Sequence, residues 1–339
     1  MDLDKIFMKN AKPTKVGGQA VLEGIMMKGE HRTAVVIRKP DGGMHIKTEL
    51  LKESGKFHKL PIIRGVLMFV DALVVGTRTL LYSAEVLENC DGGEEYEKDK
   101  MTIWLEKKFG EKGALNVMLY ASVVLALLFT VGIFIILPTA AVHFFTAFVA
   151  NEVALNLIEG VFRIALFVLY IWLISKMKDI QTVFQFHGAE HECIHCFENN
   201  LPLTPENCQT FETLHPRCGT SFLMFVMVIS LLLFSLLGWP NLVWRILSRL
   251  LLIPVIAGLS YELLRWAGRS DSAFVKIVSL PGLALQKLTT RKPDEKQLEV
   301  AIAAMKAVMV PKETEPYEGD CDQEGKPYRE EKLIVEGGC

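Results

Sequence analysis

From Leu115 to Ala150 the chain runs without a single Lys, Arg, Asp or Glu. A run of that length exceeds the roughly 20 helical residues that cross about 30 Å of hydrocarbon. A second uncharged run extends from Thr220 to Leu242. Inside a bilayer every backbone polar group must be satisfied within the chain, so such segments are expected as helices. The fold class expected is therefore mainly α: a polytopic integral membrane helical bundle of about four transmembrane helices, with a small cytosolic N-terminal β element.

Charge and turn residues divide the chain further. Residues 1–60 read as an N-terminal β-containing region, in which Ala34 to Ile37 and His45 to Leu50 flank the turn signal Pro40-Asp41-Gly42-Gly43. Residues 61–86 are apolar but broken by Arg64, Asp71 and Arg78, the composition of an amphipathic helix that lies on the membrane interface or packs in a bundle rather than of a full span. Residues 87–114 form a charged linker, with Asp91 to Glu95 as its turn, and a pre-span helix. A membrane hairpin follows at 115–178, with spans at Leu115 to Leu137 and Val153 to Ser175, then a polar insert at 179–219. A second hairpin at 220–264 holds spans at Thr220 to Gly238 and Leu242 to Leu264, turning at Gly238 to Asn241, and residues 265–339 read as a soluble tail. Glu159 and Arg163, at i and i+4 within the second span, have the spacing of an internal ion pair, and a Glu159 at the water interface fits the sequence equally well.

The loops joining each pair of spans carry no Lys or Arg, so the N-terminus, the polar insert and the tail are expected on the cytoplasmic side of a bacterial plasma membrane. No apolar span precedes residue 114, so no cleavable signal peptide is expected. Arg245 and Arg249, at the outer end of the fourth span, are expected to snorkel toward the outer interface. Seven cysteines, an odd and scattered number, read as reduced thiols facing the cytosol. A net charge of −2, with no basic patch carrying interleaved aromatics, speaks against a nucleic-acid partner.

The polar insert concentrates the chemistry. Four of the chain's eight histidines fall in it, at 187, 191, 195 and 215. On one helix His187 and His191 lie about 40° apart and Glu190 about 60° to the other side of His187. This His187-x-x-Glu190-His191 pattern is the inverse of the H-E-x-x-H zinc motif, with two imidazoles as ligands and the carboxylate as base. A catalytic zinc takes a third protein ligand, for which His215, Cys218, His195 and Glu262 are candidates. His215 is favoured because it precedes a proline in a loop free to fold back, with Cys218 close behind. His195 is eight residues from His187, a rise of about 12 Å and too far for a shared ion. Cys193 and Cys196 project away from the histidine stripe and read as buried helix thiols.

Val16-Gly-Gly-Gln-Ala-Val-Leu-Glu-Gly-Ile-Met-Met27, His187-Gly-Ala-Glu-His191, Leu214-His-Pro-Arg-Cys-Gly-Thr-Ser221 and Ser260-Tyr-Glu262 together resemble the bacterial YqhQ-like family of predicted metal-dependent membrane proteins. The resemblance covers most of the chain, from about residue 15 to about residue 300. It implies a polytopic bacterial membrane protein and carries the family pattern onto His187, Glu190, His191, His215 and Cys218, with Glu23 and Glu262 in flanking motifs.

The function expected is a zinc-dependent membrane hydrolase, peptidase-like, acting on a peptide or lipid substrate at the cytosolic membrane face with Glu190 as general base. Two other readings compete. A four-ligand structural zinc would leave a scaffold, lipid-binding or transport protein. Histidines at i, i+4 and i+8 would suit a di-iron membrane oxygenase, although such sites use more histidines than this insert holds.

Overall fold

A computed structural model of the chain describes residues 6–7, 12–51, 55, 60–90, 100–237, 241–268 and 272–321. The five strands are β1 (Gly17–Val21), β2 (Gly24–Lys28), β3 (Arg32–Arg38), β4 (Met44–Leu50) and β5 (Glu318–Cys321). The helices are α1 (Ile63–Cys90), α2 (Lys100–Phe109), α3 (Glu111–Val131), α4 (Leu137–His143), α5 (Glu152–Ile174) and α6 (Lys178–Glu198). They continue with α7 (Pro205–Cys208), α8 (Gly219–Ser235), α9 (Leu242–Ala267), α10 (Ala273–Thr289) and α11 (Glu295–Met309). The turn expected at Asp91 to Glu95, and most of that expected at Gly238 to Asn241, lie outside the described residues.

The chain separates into two compact units. The first comprises Met1–Cys90, Ile171–Val226 and Pro254–Cys339, and its centre is one antiparallel sheet in the order β1-β2-β3-β4-β5. The β3–β4 hairpin falls where turn chemistry places it, with Arg38 opposite Met44. The glycine-rich stretch before it forms a second hairpin, closed by Leu22 and Glu23 between the paired residues Val21 and Gly24. Glu23 takes φ of +49° to make that tight turn.

The sheet is covered on both faces, which explains why β2 and β3 carry near-continuous apolar runs instead of alternating. One face, with Ile25, Met27, Ala34, Val36, Met44 and Ile46, packs on Phe186, Ala189 and Cys193 of α6 and on Leu298, Ala301 and Met305 of α11. The other face, with Val21, Met26, Val35 and Ile37, is covered by Val75, Tyr82, Val86 and Leu87 of α1. The region expected as a soluble tail is therefore integral to the core. Helix α11 starts at a capping box of Asp294 and Gln297, and buried Arg32 donates to the carbonyls of Pro311 and Thr314 beyond its end. That turns the chain back so that β5 pairs with β4, Cys321 opposite Met44.

The second unit comprises Asp91–Tyr170 and Met227–Ile253. Its buried centre is a polar network. Glu159 accepts from Arg163 Nη2 at 2.8 Å, Arg249 Nη2 at 2.7 Å and Thr139 Oγ1 at 2.9 Å. Between α3 and α4 a π-turn at Gly132–Ile136 changes the backbone pairing, and Arg163 Nε donates to the Phe134 carbonyl there at 2.8 Å. The Glu159–Arg163 pair is as the spacing predicted. Arg245 and Arg249 are not: both are buried, Arg249 on Glu159 and Arg245 donating to the Thr139 carbonyl. Glu159, buried in the same unit, would be left an unpaired charge without its arginine partners, at a cost of roughly 3–5 kcal/mol.

Among the described residues four helices are long and apolar enough to cross a membrane: Ile63–Cys90, Tyr120–His143, Glu152–Ile174 and Val243–Ala267. The number agrees with the sequence reading but the membership differs. The helix expected at Thr220 to Gly238 is the shorter Gly219–Ser235, and Ile63–Cys90, expected at the interface or in a bundle, is long enough to span.

Met305 fills the space between α11 and the sheet with no exposed surface, while Met309, one turn on, is half exposed. Met305→Ala is expected to destabilise the protein by about 2–5 kcal/mol and Met309→Ala by less than about 0.5 kcal/mol. Chemical unfolding of the detergent-purified protein reads the difference, and equal midpoints for the two variants would contradict this placement of the core.

Candidate metal centre

Helix α6 carries the His/Glu pattern, and from Phe186 to Cys196 every residue but the half-buried His187 is buried, because the helix is enclosed within the first unit. Gly188 is required by that enclosure: a Cβ there would lie 2.0 Å from the carbonyl oxygen of Arg291. The residues after α10 can therefore run directly across the helix, with Arg291 N donating to the Phe184 carbonyl.

Both helical histidines have their ring orientation fixed by backbone. The Thr289 carbonyl lies 2.8 Å from His187 Nδ1 and the Thr213 carbonyl 2.5 Å from His191 Nδ1. A carbonyl only accepts, so each Nδ1 carries the proton and each Nε2 presents a lone pair. That is the arrangement by which carbonyls orient metal-binding imidazoles. His187 Nε2 lies 3.1 Å from Cys218 Sγ, and ligand atoms of His187, His191 and Cys218 all fall within 4.8 Å of one another. Two imidazole nitrogens and a thiolate at about 2.0 and 2.3 Å from a tetrahedral ion would stand about 3.5 Å apart, inside the 4.8 Å that bounds these three atoms.

The electrostatics agree with that donor set. Burial lowers the His191 pKa, which keeps its imidazole neutral. Burial alone would raise the Cys218 thiol, yet His191 and the Thr220 hydroxyl and backbone N–H hold it below its ordinary value. Glu190 is also buried; burial pushes its carboxyl up to about 7, opposed by His187 and by the Gly18 N–H. Its Oε2 has no hydrogen-bond partner among the described residues. The Glu192 carboxylate oxygens on the same helix are buried without a hydrogen-bond partner as well.

Gly18 explains part of the glycine-rich motif. A Cβ at this position would come within 2.6 Å of the Met26 carbonyl oxygen and 2.9 Å of Glu190 Cδ, so only glycine lets β1 lie against the carboxylate. Gln19 instead donates to the Gly76 carbonyl of α1 at 3.3 Å, and Glu23 sits in the β1–β2 turn.

The other candidate ligands are engaged elsewhere. The His215 ring stands 5.5 Å from that of His191, but its Nδ1 accepts the Arg217 N–H at 3.3 Å and its Nε2 faces Glu198 at 3.9 Å. His195 Nε2 donates to the Leu214 carbonyl at 3.0 Å. Burial lowers these two imidazoles to about 3 and about 4 respectively. Glu262 holds Arg64 through two hydrogen bonds, one of 2.6 Å from Nε. Cys193 and Cys196 are buried thiols, as their helical angle predicted, and Cys90, Cys208, Cys218 and Cys321 are also free.

Residues 60–311 match a family described as "Protein of unknown function (DUF1385)". The chain belongs to this family. It is also 34% identical over 307 residues to "Uncharacterized protein YqhQ" of Bacillus subtilis (strain 168), covering 89% of this chain and 94% of that protein. No solved structure matches the chain. The family resemblance read from the motifs is thus confirmed, and the matched region contains α6, the Thr213 to Thr220 loop and α10, which together build the site.

Glu198, at the end of α6, was not singled out by its sequence. It accepts from Thr14 N at 2.8 Å and Thr14 Oγ1 at 3.0 Å and pairs with Arg217, joining the N-terminal segment to the loop that carries Cys218. Burial alone would raise its carboxyl, but His215, the Thr14 N–H and Arg217 hold it at about 2, against an ordinary value of 4.5. Its stabilisation is fully present above pH 4.5 and is lost as the pH falls toward 2. The contribution is at most about 3 kcal/mol. Unfolding free energy measured from pH 6 down to about 2 should show a shallower acid limb in Glu198→Gln than in the parent. Parallel curves would mean that the clamp contributes nothing.

Proposed function

We propose that this chain is a bacterial integral membrane hydrolase, peptidase-like, in which His187, His191 and Cys218 hold a zinc ion. The observation that carries the proposal is the convergence of these three ligand atoms beside the open, buried Oε2 of Glu190. A zinc ion so held would polarise a carbonyl and lower the pKa of a water molecule. Glu190 would take the proton from the attacking water and return it to the leaving group, and a carboxyl near neutrality suits both transfers. The Gly18 N–H orients that carboxylate, while the Thr289 and Thr213 carbonyls keep the imidazoles in register.

The ligand count favours catalysis over a structural role. His215, which would close a four-coordinate site, has its Nδ1 occupied by the Arg217 N–H, and three ligands leave a position for water and substrate. A thiolate among the three also suits zinc better than a di-iron centre built from histidines and carboxylates. Cys218 immediately precedes α8, whose apolar run begins at Gly219, so the centre would lie where a membrane helix enters the bilayer. A peptide bond beside a membrane segment, or an ester of a lipid headgroup, is the substrate chemistry that position suits. By the positive-inside rule, that face and both termini are cytoplasmic.

Elemental analysis of detergent-purified protein should find about one zinc per chain, lost in His187→Ala, His191→Ala and Cys218→Ala and kept in His215→Ala, Glu262→Ala and Glu190→Gln. Peptides and lipids of membranes from cells producing the parent or Glu190→Gln would then be compared. A species accumulating with Glu190→Gln, and cleaved at least about 100-fold more slowly by the purified variant, is the expected result. A metal-free parent sinks the proposal, and so does a Glu190→Gln variant that turns over at the parent rate.

A further inference from the structure

The sheet of the first unit joins three stretches of chain that are far apart in sequence. Strands β1 to β4 come before α1, helix α6 follows α5, and α11 and β5 follow α10. Gly18 of β1 lies against Glu190 of α6, Met305 of α11 packs on the sheet, and β5 pairs with β4. All of these must stand on one side of any membrane that the chain crosses. The chain must therefore cross an even number of times between β4 and α6, and again between α6 and α11. The first interval holds three apolar helical stretches long enough to span, α1, α3–α4 and α5, so one of them does not cross. The second holds α8 and α9, so if α9 crosses then α8, at 17 residues, crosses too.

The contacts of α1 identify it as the helix that stays. Near its start Arg64 pairs with Glu262, and Gly65 lies so close to Gly258 that a Cβ would be 2.8 Å from its Cα, both partners in the second half of α9. The Phe69 ring lies 5.8 Å from that of Phe222 in the first turn of α8, tilted by 38°. Further along, the Gly76 carbonyl accepts from Gln19, Ser83 Oγ accepts from Leu22 N, and Tyr82 donates to Glu318 of β5. Among the described residues the side-chain and backbone contacts named for α1 are to the sheet and to the parts of α8 and α9 in the first unit. A helix anchored at both ends to one side has not traversed the bilayer.

Its outer face nevertheless is apolar. At 100° per residue the buried Gly65, Gly76 and Ser83 share an arc of about 20°, and Ile63, Val70 and Val74 share an arc of about 40° on the opposite side. Val70 is 48% and Val74 61% exposed, and Leu73 and Leu80 widen the stripe.

We infer that α1 is an in-plane helix whose Ile63–Val70–Val74 face is seated in the lipid of the leaflet nearest the sheet, and that α3–α4, α5, α8 and α9 make the crossings. This rests on the reading of the chain as a membrane protein. With α1 in the interface, the sheet is held against the membrane and the metal centre beside it.

The test uses full-length protein in cells and in inverted vesicles, treated with a membrane-impermeant maleimide, the labelled residues being identified by peptide mapping. Leu60→Cys and the native, exposed Cys90 bracket α1, and Asn151→Cys marks the turn before α5. Leu60→Cys and Cys90 should label from the same face, and Asn151→Cys from the other. Labelling of Leu60→Cys and Cys90 from opposite faces would overturn the inference while leaving the membrane reading intact. Release of the chain by alkaline carbonate would overturn both. For the lipid contact, a nitroxide on Val74→Cys in a Cys90→Ser background, reconstituted in phosphatidylethanolamine–phosphatidylglycerol vesicles, should be relaxed more by oxygen than by an aqueous nickel chelate. Greater relaxation by nickel would place this face in water. Protection from both would mean that protein covers it, such as a second copy of the chain, and either result defeats the proposal.

Discussion

Burying a helix as polar as α6 obliges the rest of the first unit to answer it. Glu190, His191, Glu192, His195 and Glu198 are all nearly inaccessible to solvent, and a polar group removed from water without a partner costs about 1–3 kcal/mol or more. The partners come from widely separated segments. Thr14 and Arg217 meet Glu198, Gly18 meets Glu190, Lys292 reaches Glu192 at 2.8 Å, and the carbonyls of Thr213, Leu214 and Thr289 take the imidazole protons. Glu190 Oε2 is left without a hydrogen-bond partner among the described residues, and so are the Glu192 carboxylate oxygens apart from the Lys292 ion pair. The proposed chemistry uses the first of these, beside the lone pairs of His187 and His191 and the Cys218 thiol.

The parts of this arrangement that were legible in the sequence are those set by local periodicity. The spacing of His187, Glu190 and His191 placed them on one helical face, the rise per residue separated His195 from His187, and the Pro40 to Gly43 turn gave the β3–β4 hairpin. The choice between His215 and Cys218 was not local. It depends on which atom the Arg217 N–H reaches, which is decided by how the loop packs on Glu198 and α10. The double glycine at residues 17 and 18 signalled close backbone approach, but not to what. Lacking any charge pattern that pairs distant segments, the sequence likewise hid β5 and the core role of α11, whose small and apolar residues Ala301, Ala304 and Met305 read equally well as an independent amphipathic helix.

Charges within apolar segments proved more informative than their number suggests. Arg245 and Arg249 break an otherwise apolar helix, and a reading from position alone sends them outward. Glu159 draws Arg249 inward instead, with Thr139 serving both arginines through its hydroxyl and its carbonyl. Arg163 completes the set by satisfying a carbonyl of the π-turn, so the irregular backbone and the buried charges support each other. The same one-sided reading held for Arg64, whose partner Glu262 arrives from a helix almost 200 residues later.

The pairing of β5 with β4 also sets an order of events during synthesis. About 270 residues separate the two strands, and at roughly 5–20 residues per second a ribosome needs on the order of tens of seconds to go from one to the other. Through that interval the first four strands lack both their last neighbour and α11, and the histidine face of α6 is not yet crossed by the segment at Arg291. That face stays uncovered until the segment at Arg291 is made, and the sheet is completed later still.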